Sequence, residues 1–410
     1  MAPVYPLFMH NADGTYQLDA DGNKIYDTTS SYLSNRNIAY EMLYNKQESV
    51  RNVLGGQAFA TISLPYGLSL TVKGDLNNST SNNKKYDNPE IGDGATNGGR
   101  LTSYAYQYKT VTLQEILSWN YQFNQVHNVE AMVAHENYSW ERKYTSGMNT
   151  GMAVDGNLTM GNFLNNSYFS GSDDEDKTES YLARVKYNYD NRYFVEGSFR
   201  RDGSSAFSYT GNQWQNFYSV GAGWLISEEE FMKDITWLDM LKLKGSWGTL
   251  GNQNLDKAYP AEPLLSNAYS AVFGTPSAIY PGYQLSYLPN ATLRWEKVEA
   301  WEVGAEANFF RNRLHLEGVY YKKTTKDLLA EVPGISGTVP GIGNLGSIEN
   351  KGIELAINWR DQIGDWNYSI GGNLTTIKNK VLSLVQEGYS IISGDKSQSY
   401  TMAGFPIGYF

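Results

Sequence analysis

Several glutamates lie at alternate positions along strand-like segments and could supply acid–base chemistry. The clearest are Glu196, Glu302, Glu306 and Glu354, each on the polar side of its segment. Hydrolysis of a glycosidic bond needs two carboxylates held about 5 to 9 Å apart, and no spacing along this chain specifies such a pair. The chain also contains no serine nucleophile elbow and no phosphate-binding loop. We therefore predict that these glutamates line a water-filled interior and that the protein is not an enzyme; a β-rich glycoside hydrolase is the alternative.

Other short motifs point to no cofactor. Residues 341–346 read Gly-Ile-Gly-Asn-Leu-Gly, but the dinucleotide fingerprint works only between a buried strand and a helix. Here Pro340 precedes the motif and a strand-like segment follows, so a loop is favoured. The histidines lack ligand spacing, and the acidic run at 173–176 is more typical of a solvated surface than of a calcium loop. We predict no metal and no cofactor.

Aromatic and polar side chains in or beside the long connections are better candidates for binding. Flat rings stack on sugar faces, and Arg and Asp form hydrogen bonds with hydroxyl or peptide groups. Aromatic candidates in the connections include Tyr209, Trp214, Tyr269 and Tyr280. The predicted substrate-binding residues are Arg200, Arg201, Asp202, Trp214, Asn252 and Gln253. For any single residue the simpler interpretation, a structural brace or a membrane-boundary ring, is favoured.

The elements that must position these residues follow from residues 181–226, where side chains alternate with a period of two. Tyr181 to Tyr189 and Tyr193 to Phe199 each have one uncharged row and one row that carries ions. Successive side chains of a strand point to opposite faces. A three-residue link places Tyr189 opposite Tyr193 on the same face, which predicts a β-hairpin.

Two folds produce such a pattern: a soluble sandwich with its apolar face inward, or a membrane barrel with its apolar face outward. The barrel is favoured because Tyr and Trp lie near the strand ends, as amphipathic rings do at a lipid headgroup boundary. The predicted membrane-interface residues are Tyr187, Tyr189, Tyr193, Trp224, Trp247, Trp359 and Tyr368. A soluble or surface-attached adhesin or lectin is the alternative, and it requires Tyr181, Val185 and Val195 to face inward.

The connections alternate between short and long along about twelve predicted strands. This rhythm is typical of up-and-down barrels with short periplasmic turns and long extracellular loops, and not of Greek-key sandwiches. Regular alternation starts at residue 58. We therefore predict an all-β, antiparallel, up-and-down transmembrane β-barrel over residues 58–410, after an irregular lead-in at residues 1–57.

Composition agrees with this class. The 410 residues carry a formal net charge of −10, which argues against nucleic acid as a partner because phosphate binding needs a basic face. There is no cysteine, and no apolar run approaches the roughly 18 residues of a spanning helix. The amino terminus has neither a basic segment nor an apolar signal region, so a membrane barrel implies that the native beginning is absent.

Several segments, in shared order, resemble the SusC/RagA-like family of TonB-dependent outer-membrane transporters. They are residues 2–6 (Ala-Pro-Val-Tyr-Pro), 181–185 (Tyr-Leu-Ala-Arg-Val), 189–193 (Tyr-Asp-Asn-Arg-Tyr), 200–205 (Arg-Arg-Asp-Gly-Ser-Ser), 222–224 (Ala-Gly-Trp), 226–229 (Ile-Ser-Glu-Glu), 241–244 (Leu-Lys-Leu-Lys), 251–253 (Gly-Asn-Gln), 321–325 (Tyr-Lys-Lys-Thr-Thr), 348–352 (Ile-Glu-Asn-Lys-Gly) and 404–408 (Gly-Phe-Pro-Ile-Gly). Ala206 departs from the family, which often has Arg after the paired serines.

The resemblance implies import of oligosaccharides or peptides across the outer membrane of a Gram-negative cell. It also implies three partners: TonB, which contacts an N-terminal plug region, a SusD-like surface lipoprotein, and outer-membrane lipid. Barrels of this kind close at about 22 strands. About twelve predicted strands therefore indicate a partial barrel that lacks the plug domain and the last strands, and whose unpaired edges prevent it from sealing alone.

Overall fold

The computed structural model describes residues 6–29, 36–253, 255, 259–332, 341–385, 390–393 and 398–409. Residues 2–5 of the first family-like segment and the side chain of Tyr269 lie outside this description. In the described part of the chain, no helix has the length and apolar character needed to cross a membrane.

The described chain is dominated by strands. One α-helix, α1, spans Ile38–Tyr44, and Asn37 caps it by accepting a hydrogen bond from the Tyr40 amide. The strands are β1 Lys46–Ser63, β2 Leu68–Asp87, β3 Arg100–Phe123, β4 His127–Met152, β5 Phe163–Tyr189, β6 Tyr193–Ser204, β7 Trp214–Leu225, β8 Leu238–Asn252, β9 Leu265–Phe273, β10 Ala278–Leu285, β11 Glu296–Phe309, β12 Leu314–Lys326, β13 Leu329–Val332, β14 Gly341–Asn344, β15 Gly346–Ile363, β16 Trp366–Thr375, β17 Lys378–Leu384, β18 Ser390–Ser393 and β19 Ser399–Met402. Short 3₁₀ helices span Pro65–Gly67, Gly92–Asn97, Met160–Asn162, Ser205–Thr210, Ile226–Glu228 and Glu230–Met232.

One large sheet contains most of the strands. Its order is β1-β2-β3-β4-β5-β6-β7-β8-β11-β12-β15-β16, with β17 also paired to β15. From β5 to β16 each strand pairs antiparallel with its neighbours along this path. This confirms the predicted up-and-down order of about twelve strands. Among the described residues, β1 pairs with neither β16 nor β17, so the sheet is open.

Three smaller hairpins were not predicted. β9 pairs with β10, β13 with β14, and β18 with β19. β9, β10, β13 and β14 occur in segments that the sequence pattern assigned to long connections. They lack strict alternation because a short strand inside a connection has no extended apolar face to present.

Several strands of the large sheet are longer than predicted. β3, β4 and β5 have 24, 26 and 27 residues, more than twice the roughly 9 to 11 residues that cross a bilayer. Much of the long connection predicted at residues 137–180 is therefore strand, and β1 starts at Lys46 instead of residue 58. Parts of a strand outside hydrocarbon need no uncharged row, so the alternation that located the strands stops before they end. The division into lead-in and barrel stays a prediction.

The register of the central hairpin confirms the sequence interpretation. Tyr189 lies opposite Tyr193, and the turn between them has positive φ values of 49° at Asp190 and 54° at Asn191. Asn and Asp tolerate this left-handed conformation better than other residues with side chains. At another point of the sheet only glycine fits, since a Cβ on Gly352 would lie 1.8 Å from the Thr376 carbonyl oxygen.

The uncharged rows face away from the protein. Val185, Val195 and Leu355 are 51%, 50% and 48% exposed, and Tyr181 is 46% exposed. The soluble-sandwich alternative required Tyr181, Val185 and Val195 to face inward, and that requirement is wrong. A chain with exposed apolar rows of this extent needs an apolar surrounding, as a lipid-facing strand does.

The chain forms two compact units, each with its own buried cluster. The first comprises residues 1–57, 75–111 and 139–175 and buries Tyr86, Leu101 and Phe163. The second comprises residues 58–74, 112–138 and 176–410. Its buried cluster is made largely by connections between strands and includes Ala206, Phe207, Phe217, Ala261, Leu293, Trp295 and Ile342.

Candidate functional site

The charged rows of the second unit line a common recess of about 640 Å³. Its charged side chains come from alternate positions of neighbouring strands, opposite in direction to the exposed apolar rows. The charged lining residues are Glu130, Lys186, Glu196, Lys242, Lys244, Glu302, Glu317 and Glu354. Three of the four glutamates singled out from the sequence are among them, and the fourth, Glu306, lies opposite Lys242 and Glu317 in register. These glutamates therefore lie on the face opposite the exposed apolar rows; that this face lines a water-filled interior stays a prediction.

Ion pairs hold several of these charges in place. Lys186 lies 3.4 Å from Glu130, and Arg184 lies 2.9 Å from Glu196. Lys244 pairs with Glu317 across β8 and β12. Partly exposed pairs of this kind contribute little to stability individually, but together they fix the donors and acceptors that the recess presents.

The predicted residues Arg200 and Asp202 belong to a hydrogen-bond network on the same face as the recess. The Arg200 Nε atom donates to both Asp202 carboxylate oxygens, at 2.7 and 2.9 Å. Its Nη2 atom donates to Ser180 Oγ at 2.9 Å and to Glu136 Oε1 at 3.4 Å. Gln114 donates to the other oxygen of Glu136. The network thus crosses β3, β4, β5 and β6 and acts as a brace.

Gln253 lies close to this network. Its side-chain amide donates to Thr178 Oγ1 at 3.1 Å, and Thr178 is two residues from Ser180 on β5. Residues two apart on a strand share a face and lie about 7 Å apart. The Gln253 Oε1 atom is buried and has no hydrogen-bond partner among the described residues. Asn252 next to it donates to Glu296 Oε1 at 3.1 Å.

Arg201 and Trp214 lie on the other face of the sheet. The Arg201 guanidinium stacks over the Trp214 ring at 5.2 Å, and the Tyr181 ring is 6.1 Å from Trp214. Arg201 and Tyr181 lie directly opposite each other on β6 and β5. The structure therefore does not bring the predicted binding residues into one site, since period two separates Arg200 from Arg201.

The structure also describes the remaining motifs, and one of them differs from its predicted loop. Residues 341–344 form β14, which pairs with β13 instead of forming a loop. No helix follows, so the geometry of a dinucleotide site is missing at this motif. Across the described residues, no group of His, Asp or Glu could hold a metal ion. Asp174 and Asp176 of the acidic run lie on β5, where Asp174 pairs with Arg142 and Asp176 accepts from Ser205.

Comparison with known proteins decides the family. The model of the family described as TonB dependent receptor-like, beta-barrel matches residues 5–406. The chain belongs to this family. Its members are integral β-barrels of the outer membrane and act as transport proteins, not as enzymes. The open antiparallel sheet is accordingly part of a TonB-dependent receptor barrel.

Curated relatives share sequence along much of the chain. It is 29% identical over 406 residues to TonB-dependent receptor P39 of Formosa agariphila, with 92% of this chain and 36% of that protein covered. It is 35% identical over 237 residues to TonB-dependent receptor SusC of Bacteroides thetaiotaomicron, with 56% and 22% covered. The chain thus spans about a third of the length of the curated relatives it matches, or less.

Solved structures share the fold. The structure of the RagAB peptide transporter has a TM-score of 0.83 at 22% identity and covers 97% of this chain and 46% of that chain. The unliganded ferric citrate transporter FecA has a TM-score of 0.51 at 10% identity, with 88% and 47% covered. Identities this low establish the fold alone.

The aromatic residues predicted at the membrane boundary of the receptor barrel form contacts at the short-turn ends of the strands. Tyr193 lies 6.2 Å from Tyr189 and 6.3 Å from Trp224, ring centre to ring centre. The Tyr193 hydroxyl and the Trp224 indole both donate to Glu229 Oε1, at 2.6 and 3.0 Å. These bonds, led by that from Tyr193, hold the pKa of the Glu229 carboxyl below its usual range.

The other predicted boundary residues are spread along the sheet. The Tyr187 hydroxyl lies 2.8 Å from His127 Nδ1, and the Trp359 ring lies 6.4 Å from Phe310. Tyr368 lies opposite Asp361 on β15. Trp247 is at the other ends of the strands, where its indole donates to Glu299 at 3.2 Å. Contact with lipid headgroups stays a prediction for this set.

Sequence reasoning missed the partners that hold Arg200. Glu136, Ser180 and Gln114 come from three strands, and nothing in their local sequence marks them. Each of them lies on the inward side of its strand. The sequence does not show the register between strands that brings them together. The loop aromatics Tyr209 and Tyr280 are 56% and 52% exposed, while Phe207 and Trp295 form the buried cluster instead.

Proposed function

We propose that the receptor containing this chain imports oligosaccharides or peptides across the outer membrane. In this proposal TonB, acting through an N-terminal plug region, drives import, and a SusD-like surface lipoprotein delivers the cargo. The observation that carries the proposal is the contrast between the two faces of the second unit, with an exposed, uncharged band along the outward face and a charged recess on the inward face. A polar cargo crossing hydrocarbon needs such a wetted wall.

The solved neighbours support the peptide class, because they are described as a peptide transporter or importer. The oligosaccharide class rests on the resemblance of the sequence segments to the SusC/RagA-like family. The inward wall suits both classes, because its glutamates and lysines offer acceptors and donors to sugar hydroxyls and to peptide groups alike.

Among the predicted binding residues, we propose cargo contact for the inward-facing ones, Arg200, Asp202 and Gln253. Gln253 keeps a buried acceptor without a donor among the described residues, an arrangement that is costly unless another group satisfies it. Asn252 is tied to Glu296 and supports the adjoining chain. Arg201 and Trp214 lie on the outward face, and we propose that they contact the membrane boundary instead of cargo.

The test is uptake by cells that carry the full-length receptor and its lipoprotein, supplied with labelled oligosaccharides or labelled peptides. We expect uptake of one class, and we expect inactivation of TonB to abolish it. The double variant Glu302→Gln with Glu354→Gln changes the recess and should slow this uptake severalfold.

The matched control removes the same number of charges from the outward face. Glu115 and Glu179 contact His135 there, at 2.9 and 3.4 Å. The variant Glu115→Gln with Glu179→Gln should leave uptake unchanged. Uptake of both classes that persists without TonB, or equal loss in the two double variants, would overturn the proposal.

A further inference from the structure

A row of lysines crosses three adjacent strands on the outward face. Lys322 on β12 lies directly opposite Lys351 on β15, and Lys351 lies directly opposite Lys378 on β17. Residues in direct register share a face and lie about 5 Å apart between Cβ atoms. Tyr320 and Ile353, the outward-facing residues two positions away on β12 and β15, also pair with each other. The lysine row, Lys322, Lys351 and Lys378, therefore borders the uncharged rows.

More lysines than acids surround this row. Lys326 lies opposite Lys297, and Lys380 lies opposite Glu349. The described outward acids here are Glu349, which lies 2.9 Å from both Lys322 and Lys351, and Glu299, which pairs with Lys326. Neither Lys378 nor Lys380 has an ion pair within the described part of the chain. Like charges directly opposite destabilise a sheet, so an anion from outside the chain would relieve this patch.

An apolar groove lies next to the lysine row on the same face. It has a volume of about 650 Å³ and is bordered by small side chains, which leave space between larger ones. Its outward-facing lining is Ala305, Ala307, Leu316, Gly318, Leu355, Ile357, Gly372 and Leu374. Gly318 precedes Lys322 by four residues on β12, a rise of about 13 Å. Tyr320, between them, lies beside Trp301, with the two rings tilted and their centres 5.3 Å apart.

We propose that this groove and the lysine row together bind one phosphorylated membrane lipid. Its acyl chain lies in the groove, and its phosphate contacts Lys322, Lys351 and Lys378. Lys322 and Lys351 lie toward the strand ends joined by the long connection between β12 and β15, away from the short turns, and Lys378 lies in register with Lys351. The lipid therefore belongs to the outer leaflet. The inference uses the membrane placement of the family but is independent of the cargo, since the groove and the recess are on opposite faces of the sheet.

The apolar groove beside the lysine row favours a lipid over a free anion. A free phosphate would gain only the lysines, whereas a lipid also buries its chain against apolar side chains, and each buried methylene adds to the binding free energy. The aromatic pair of Trp301 and Tyr320 lies at the junction of groove and lysines, where amphipathic rings meet headgroups.

The test is native mass spectrometry of the full-length receptor in a nonionic detergent, titrated with bisphosphorylated lipid A and with its dephosphorylated form. We expect the phosphorylated form to bind more tightly, and 10 mM inorganic phosphate, on the order of ordinary buffer strength, not to displace it. The triple variant Lys322→Gln, Lys351→Gln and Lys378→Gln should weaken binding about a hundredfold, since each lysine near an anionic surface contributes about fivefold.

A second variant tests the groove without changing charge. A Cβ on Gly372 would meet only Ile357 at 4.0 Å, so Gly372→Leu fills the groove without a backbone clash. We expect it to weaken lipid binding as well. Its control is Gly197→Leu, on the outward face of β6, where the nearest atom to a Cβ is 3.8 Å away.

Matched charge controls separate the lysine row from net charge. Lys73→Gln, Lys233→Gln and Lys323→Gln remove the same charge outside the lysine row, Lys323 from the opposite face of β12, and the triple Lys-to-Arg variant of the row keeps its charge. Both should bind like the unmodified receptor, with unchanged β circular dichroism. Equal binding of the two lipid forms, full binding by the Lys-to-Gln row variant, or equal loss in the charge control would overturn the proposal.

Discussion

The two faces of the second unit are built from the same strands but differ in where they carry charged residues. On β6, outward-facing Val195 is 50% exposed and has only uncharged neighbours on its row as far as Phe199. One residue away, Glu196 pairs with Arg184 at 2.9 Å on the inward face. Each strand thus meets an apolar medium on one side and water on the other. The residue type at each position therefore depends on the solvent that the face contacts, and not on strand propensity.

The outward face has charges only near its ends. Glu115, His135 and Glu179 form one group with Tyr181, and the lysine row forms another beside Tyr320. Between them and the short-turn ends, the outward positions of β5 to β8 are uncharged. The inward face has charges along its whole length. We therefore predict that hydrocarbon lies against the uncharged band of the receptor.

The largest effect is expected from a charge introduced into the uncharged outward row of a strand. The variant Val195→Lys places a charge in the middle of the uncharged band and should destabilise the inserted receptor by roughly 2 to 4 kcal/mol. Ser198→Lys, on the inward face of the same strand, should change stability little. Urea unfolding in lipid vesicles measures both. Equal destabilisation by the two variants would show that the faces do not differ in solvent.

A smaller effect is expected from breaking the inward network. The variant Arg200→Met leaves Asp202, which is 9% exposed, without its charged partner. Loss of one partner of a buried polar group costs roughly 1 to 3 kcal/mol. Arg201→Met, on the outward face, removes the same charge but leaves no buried acceptor and should cost less. An equal cost for both variants, measured by the same unfolding experiment, would contradict the brace assigned to Arg200.

The smallest effect is expected at the short turn after β7, where Glu229 accepts hydrogen bonds from the outward-facing Tyr193 and Trp224. Glu229 has a lowered pKa in the folded receptor because Tyr193 and Trp224 donate to it. Its contribution to stability is therefore present above the ordinary glutamate pKa of 4.5 and is lost as pH falls through the lower folded value. Unfolding midpoints between pH 7 and about 3 should fall less steeply in Glu229→Gln than in the unmodified receptor.

The control for this titration is Glu228→Gln, the adjacent carboxylate in the same turn. It removes a carboxylate from the same turn and leaves the Tyr193 and Trp224 bonds to Glu229 in place, so the pH dependence that these bonds cause should persist. An unaltered pH profile in Glu229→Gln would mean that the Tyr193 and Trp224 bonds do not anchor the turn.

Much of the fold could be predicted because side-chain direction in a strand is a local property. The period of two located the strands of the large sheet, the Tyr189 to Tyr193 hairpin, and the face of Val185, Val195 and Leu355. Strand ends could not be predicted where β3, β4 and β5 continue beyond the uncharged band. There the surroundings no longer require alternation, so the sequence carries no period.

The candidate site was predicted only in part. Arg200 and Asp202 do meet, because residues two apart on one strand share a face. Arg201 and Trp214 meet each other on the opposite face, away from Gln253 and Thr178. Proximity along the chain suggested one site, whereas the pleat of the strand divides adjacent residues between two solvents.

The sequence by itself determined the strands, their order, the direction of each row and the family-like segments, since these depend on residue type and spacing along the chain. Only the tertiary structure decided which rows lie side by side. Register aligned Lys322, Lys351 and Lys378, assembled the partners of Arg200, and placed Phe207 against Trp295 in the connections. Register is set by pairing between distant strands, and no local pattern contains that information.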